Sequence, residues 1–137
     1  MQLLQRSWKI FLIAWAGPYT AMGLAIGLTG LISGGGWRWS RGAIEFYGGA
    51  TAWLVRHLPP GPSTRAITLG HVILGQTVEG LDACAAHERI HVRQFELWGP
   101  AMGPAYLAAS AWQWCRGRDA YRQNYFERQA YSGAPSE

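Results

Sequence analysis

Charge is scarce in this chain. Charged residues make up 15% of its 137 positions, against about a quarter in an ordinary soluble domain. Lysine is nearly missing: Lys9 stands alone among 12 basic residues, the other 11 being arginine. Acid is scarcest in the first half, where residues 1–70 hold Glu45 against six basic groups. Two cysteines, Cys84 and Cys115, allow at most one disulfide and assign no redox compartment. There is no CxxC, no glycine-rich phosphate loop, no nucleophile elbow and no internal repeat. The sequence therefore offers no basis for a thiol-redox, nucleotide-phosphate or serine-hydrolase site, nor for a repeat array. No basic stripe interleaved with aromatics is present, so no nucleic-acid partner is expected.

What is present is apolar. Hydrophobic residues reach 49%, with eight Trp and six Tyr, rings that concentrate at membrane interfaces. Ile10 to Ile32 runs 23 residues without a charge, enough to cross a hydrocarbon core with some tilt. Arg6 and Lys9 precede it, and Trp37-Arg38-Trp39 with Arg41 follow. The run exceeds the about 7–15 apolar residues of a signal peptide, which predicts an uncleaved transmembrane helix kinked at Pro18. Gly23 and Gly27 form a GxxxG pair through which two copies could associate as a homodimer. The net charge is +5 over residues 1–70 and −1 over residues 71–137, so attraction of the front half to anionic membrane lipid is expected. Small size, an uncleaved anchor and arginine richness suggest a bacterial inner membrane. The basic groups on the two sides of the run balance, so the positive-inside rule assigns no orientation.

The chemistry-bearing feature is His87-Glu88-Arg89-Ile90-His91, an HExxH sequence. Residues four apart share one helical face, so two imidazoles at this spacing reach one zinc ion and leave positions for a third ligand and a water. Glu88, about 100° round the helix from His87, is placed to take a proton from that water. Leu81 to Trp98 contains no Pro or Gly and stops at Gly99-Pro100, which predicts one helix with Asp82 as its N-cap. His87, His91 and Gln94 fall within about 60° on that helix, whereas Glu96 falls nearly opposite His87. The third ligand must come from elsewhere. Glu127, in a helix expected from Asp119 to Tyr131, is the best candidate, with Asp119 the runner-up. Cys84 reads as a small core thiol and is a further candidate.

In these residues the chain resembles the zincin metallopeptidases, and among them the gluzincin-like branch. Those families carry HExxH on one helix and a Glu on a later helix, often as ExxA, and Glu127-Arg128-Gln129-Ala130 has that form. The resemblance covers about residues 71–131. The acidic residue three or four places further on is missing, since Ala130 and Tyr131 stand there. The resemblance implies zinc held by His87, His91 and Glu127, with Glu88 as general base in peptide hydrolysis. Oxyanion candidates are Arg89, Arg93, Tyr121, Tyr125 and Tyr131.

The expected architecture is mainly α with a short β-strand or hairpin. Residues 1–36 form the anchor and its Ser33–Gly36 hinge, residues 37–131 a minimal zincin-like metal-binding domain, and residues 132–137 a disordered tail. Within the domain, Gly42 to Leu58 predicts a helix that ends at Pro59-Pro60-Gly61-Pro62. Arg65 to Leu74 predicts a buried strand; the zincin resemblance implies that Ile67–His71 binds extended substrate at a sheet edge, the alternative being a short hairpin strand that only covers the helix. His71 reads as a structural histidine, and His57 has no assigned role. The apolar stretch from Trp98 to Trp114 is too short to span a membrane after Pro104; it lies in the interface, re-enters, or packs on the HExxH helix. Three functions follow: a membrane-anchored zinc peptidase acting on peptides near the bilayer, a non-catalytic membrane protein using the helix as a metal-stabilised scaffold or partner-binding module, or a membrane protein without metal.

Overall fold

The long uncharged run does not form one straight helix. In a computed structural model describing residues 2–133, it is divided between α1 (Gln2–Trp15) and α2 (Gly17–Ile32), which meet at 64°. Pro18 lies in the first turn of α2, where it lacks the N–H that would continue the ladder from α1 and its ring crowds the preceding turn. No single helix among the described residues is long and apolar enough to cross a membrane, which corrects the expected single span; the bent pair has the length and composition only when taken together.

A four-stranded sheet follows, in the order β1-β2-β4-β3. Strands β1 (Gly36–Ser40) and β2 (Ala43–Tyr47) form an antiparallel hairpin through Arg41-Gly42, whose φ values of 47° and 86° suit a tight two-residue turn. Helix α3 (Gly49–His57) and strand β3 (Ala66–Leu69) lead to β4 (Val72–Gly75), which pairs parallel with β2 and antiparallel with β3. Two expectations are corrected here. The helix expected from Gly42 begins only at Gly49, because Ala43–Tyr47 joins the sheet and Gly48-Gly49, at φ 76° and 51°, turns the chain between strand and helix. The single strand expected over 65–74 is a hairpin, folded at Gly70 (φ 62°).

The central strand explains the layering. All four β4 residues are buried, as a strand covered on both faces must be. Val72 and Leu74 face Phe46 and Val55, with Leu24, Ile26 and Leu31 of α2 packed against them. Ile73 instead packs with Leu81 and Val92, which belong to α4 (Val78–Ala83) and α5 (Ala85–Trp98). The expected helix over 81–98 is thus broken at Cys84, and its start is capped by Thr77, which accepts the Gly80 N–H at 3.0 Å. Asp82 caps neither helix; its carboxylate binds Arg38.

A 3₁₀ turn (Gly99–Ala101) leads into α6 (Met102–Cys115), and α7 (Tyr125–Gly133) closes the described chain. The last helix starts six residues later than expected, because Asn124 rather than Asp119 caps it through the Phe126 N–H at 2.8 Å. Asp119 instead holds the Tyr121 and Arg122 N–H groups in a separate turn. Of the expected disordered tail, Ser132 and Gly133 belong to α7 and residues 134–137 lie outside the described residues.

The GxxxG glycines work within the chain. Gly23, Gly27 and Gly30 are buried, and a Cβ at each would collide with Val72, the Phe46 ring and the Thr51 hydroxyl respectively. Gly27→Ala should therefore destabilise the fold by about 1–3 kcal/mol through overpacking. Gly17→Ala, where a Cβ meets nothing within 4 Å, should change stability little. Chemical denaturation of both variants in the same detergent checks the contrast, and equal stability would show that α2 does not pack this closely on the sheet.

Candidate metal centre

His87 and His91 leave the same face of α5 one turn apart, and Glu127 meets them from α7. The three facing atoms are His87 Nε2, His91 Nε2 and Glu127 Oε2. The two imidazole nitrogens are 3.1 Å apart, and the carboxylate oxygen is 3.1 Å from the first and 3.4 Å from the second. Ligand atoms around a tetrahedral ion with bonds of about 2.0–2.1 Å stand about 3.3 Å apart. The triangle therefore has the size of one face of such a shell, and two imidazoles with one carboxylate suit a divalent transition-metal ion. It is the one group of three such ligands among the described residues.

The surroundings orient these atoms. Gln94 donates through Nε2 to the Phe126 carbonyl at 3.0 Å and to Gln129 Oε1 at 2.8 Å. Its own Oε1 is thereby turned to His91 Nδ1, 2.8 Å away. A carbonyl oxygen only accepts, so Nδ1 carries a proton and Nε2 is left for an ion or for a second proton. This is the outer support that metal-bound histidines characteristically have. His87 is held differently: its Nδ1 is buried without a hydrogen-bond partner, and its ring rests on Tyr131 with centroids 4.4 Å apart. The second oxygen of Glu127 accepts the Tyr106 hydroxyl at 2.6 Å.

These contacts make the cluster a place for positive charge. Burial alone would push the Glu127 carboxyl up, but hydrogen bonds from His87 and His91, the His91 charge and the Tyr106 hydroxyl hold it well below the usual carboxylate range. Burial alone would likewise lower His91, but Glu127, Glu88 and Gln94 together raise it to about 9. Burial and the neighbouring Glu127 charge push the Tyr106 phenol far above its ordinary value, so it stays a donor. A proton on His91 balances Glu127; a cation held by the same atoms would supply that charge instead.

Glu88 is buried, and its carboxylate accepts the Thr68 hydroxyl of β3 at 2.6 Å. With the three ligand residues it lines a cleft of about 660 Å³ between β3, α5 and α6. Tyr121 also lines this cleft, and Tyr131 covers His87. The remaining oxyanion candidates are placed elsewhere. Arg89 is committed to Glu45 and the Arg41 carbonyl, Arg93 is exposed, and Tyr125 is exposed against Phe126. Asp119 is exposed on its turn, Cys84 donates to the Gly80 carbonyl, and neither joins the triangle. His71 pairs with Glu96 at 3.0 Å, and His57 hydrogen-bonds the Trp53 carbonyl.

Thr68, Tyr106 and Asn124 are site residues that sequence reasoning did not assign. Asn124, just before Tyr125-Phe126, has the form of an N-cap and could have been found as one. Its amide also donates to the Tyr106 carbonyl and the Ser110 hydroxyl, which ties α7 to α6. No protein family, curated protein or solved structure matches the chain, so the site is read from its geometry.

Detergent-purified protein should hold one zinc per chain, and His87→Ala, His91→Ala and Glu127→Ala should each abolish it. Tyr106→Phe should weaken zinc binding by about 10- to 100-fold, measured by competition with a chromophoric chelator. Unchanged affinity in Tyr106→Phe would show that the phenol does not support Glu127 as a ligand.

Proposed function

We propose that this chain is a membrane-anchored, zinc-dependent metallopeptidase, with His87, His91 and Glu127 holding the ion and Glu88 acting as general base. The observation that carries the reading is the ligand triangle, which shares one cleft with a buried, hydrogen-bonded Glu88. When bound, the ion would polarise a carbonyl and acidify a water. Glu88 accepts the proton of the attacking water and later returns it to the leaving amine. Thr68 fixes the Glu88 carboxylate through one oxygen, leaving the other for that transfer.

Strand β3 supports the peptide side of the reading. It is an edge of the sheet, paired only with β4, and Ile67, Thr68 and Leu69 line the cleft. An extended peptide can add to such an edge through backbone hydrogen bonds. Tyr121 lines the cleft and suits the oxyanion role, since burial, the Glu127 charge and its hydrogen bond with Tyr131 keep its phenol protonated.

The membrane part rests on the surface. Trp8, Phe11 and Trp15 stack along α1 with centroid spacings of 5.5 and 6.0 Å, and all three are exposed. Met22, Leu28 and Ile32 are exposed on α2, and Leu107, Trp112 and Trp114 on α6. The Trp8–Phe11–Trp15 stack is an exposed apolar stripe, and such surface suits contact with lipid or another apolar partner.

The test uses zinc-loaded protein in lipid nanodiscs with a mixed peptide library read by mass spectrometry. Glu88→Gln should abolish cleavage while retaining one zinc. Thr68→Val should lower kcat by about tenfold to a hundredfold, as expected when a catalytic group loses its positioning contact. Full zinc loading with no cleavage, in wild type and Glu88→Gln alike, would overturn the peptidase reading in favour of a metal-stabilised scaffold.

A further inference from the structure

The cleft adjoins a second hollow of different chemistry. The cleft itself is walled by Leu58, Ile67, Leu69, Phe95, Met102 and Leu107, and no Arg, Lys or Asp lines it. Its charges are confined to the two histidines, Glu88 and Glu127. The second hollow, about 460 Å³, shares Pro60, Thr64, Ala66, His87, Glu88 and Tyr121 with the cleft. A chain lying across Glu88 would pass from one to the other. The second hollow also presents Arg65 and Arg122, with Asp119 as its other acid besides Glu88.

Both arginines are exposed, and it is their backbones that are anchored. The Arg65 carbonyl accepts the Gln76 N–H at 3.0 Å, which fixes its backbone at the start of β3. The Arg122 N–H is bound by the Asp119 carboxylate at 2.7 Å, and the same oxygen takes the Tyr121 N–H at 2.9 Å. Asp119 is thus engaged with backbone groups, and neither arginine head forms an ion pair among the described residues. Both arginines line this one hollow, and the planar fork of a guanidinium matches a carboxylate.

We propose that the second hollow binds a substrate carboxylate. The substrate then sets apolar residues in the cleft and, across the bond to be cut, an acidic side chain or a free C-terminal carboxylate against Arg65 and Arg122. This deepens the peptidase reading and rests on it.

Binding separates the two claims. Zinc-loaded Glu88→Gln protein in nanodiscs is titrated with fluorescent peptides that share a Leu/Phe-rich half and end in Asp-, Ala- or Lys-bearing halves, each as free acid and as amide. The Asp peptide should bind at least about tenfold more tightly than the Lys peptide, the worth of one hydrogen-bonded charge pair. If the Asp amide keeps the gain, the side chain is the source; if the Ala free acid gains over its amide, the C-terminus is. The double variant Arg65→Ala/Arg122→Ala should bring all peptides to similar affinity while leaving the Ala amide unchanged. Equal binding of the Asp and Lys peptides, a preference that survives the double variant, or no binding by any peptide would overturn the proposal. A selective peptide left uncut by zinc-loaded wild type would sink the peptidase reading and leave the carboxylate pocket standing.

Discussion

A carboxylate buried to 4% exposure sits where three helices meet, and much of the structure follows from satisfying it. Glu127 belongs to α7, its partners His87 and His91 to α5, and Tyr106 to α6. An isolated carboxylate in such a place costs several kcal/mol, so the helices are held in one arrangement by the need to bring it partners. Asn124 secures the arrangement at the base, capping α7 and binding two groups on α6. Positive charge must complete it, as a proton on His91 or as an ion. The candidate metal site and a structural joint are here the same object.

A second buried carboxylate works behind the same helix. Glu45 of β2, 1% exposed, pairs with Arg38 of β1 and Arg89 of α5. Arg89 lies two residues from both histidines, about 200° round the helix from each, so the clamp holds the face opposite the ligands. Thr68 grips Glu88 from β3, and Gln94 joins His91 to the Phe126 carbonyl. Three contacts at three angles leave α5 little freedom to rotate. That rigidity is what a catalytic constellation needs, because small displacements of a reacting group are costly.

The cluster of His87, His91 and Glu127 was legible because most of its signal is local. Four-residue spacing on one helix puts His87 and His91 together whatever the rest of the chain does, and the ExxA form singled out Glu127. Tyr106 and Thr68 carry no such signal, since only the packing of α6 and β3 decides which side chains reach the carboxylates. The fold was missed at its turns. Gly48-Gly49 and Gly70 adopt positive φ, and each converts an apparently continuous segment into two elements. Glycine between apolar runs was the available sign, but apolar runs that end up buried on both faces have no period with which to choose strand from helix. Pro18 announced a kink; that α2 then seats its glycine face against the sheet is set by packing and not by local sequence.

The outer surface raises a linked question of depth. Helix α6 carries no charged residue, and while Tyr106 points inward to Glu127, Trp112 and Trp114 face outward. The Arg116 guanidinium lies over the Trp112 ring at 5.5 Å, an arrangement that suits the boundary between lipid and headgroup. At 14 residues, about 21 Å long, α6 is too short to cross a hydrocarbon core of about 30 Å. If α6 meets lipid, it therefore lies along the interface or re-enters, with its inner face forming a wall of the cleft. Lipid on that side would then lie against the helix whose Tyr106 hydroxyl holds Glu127.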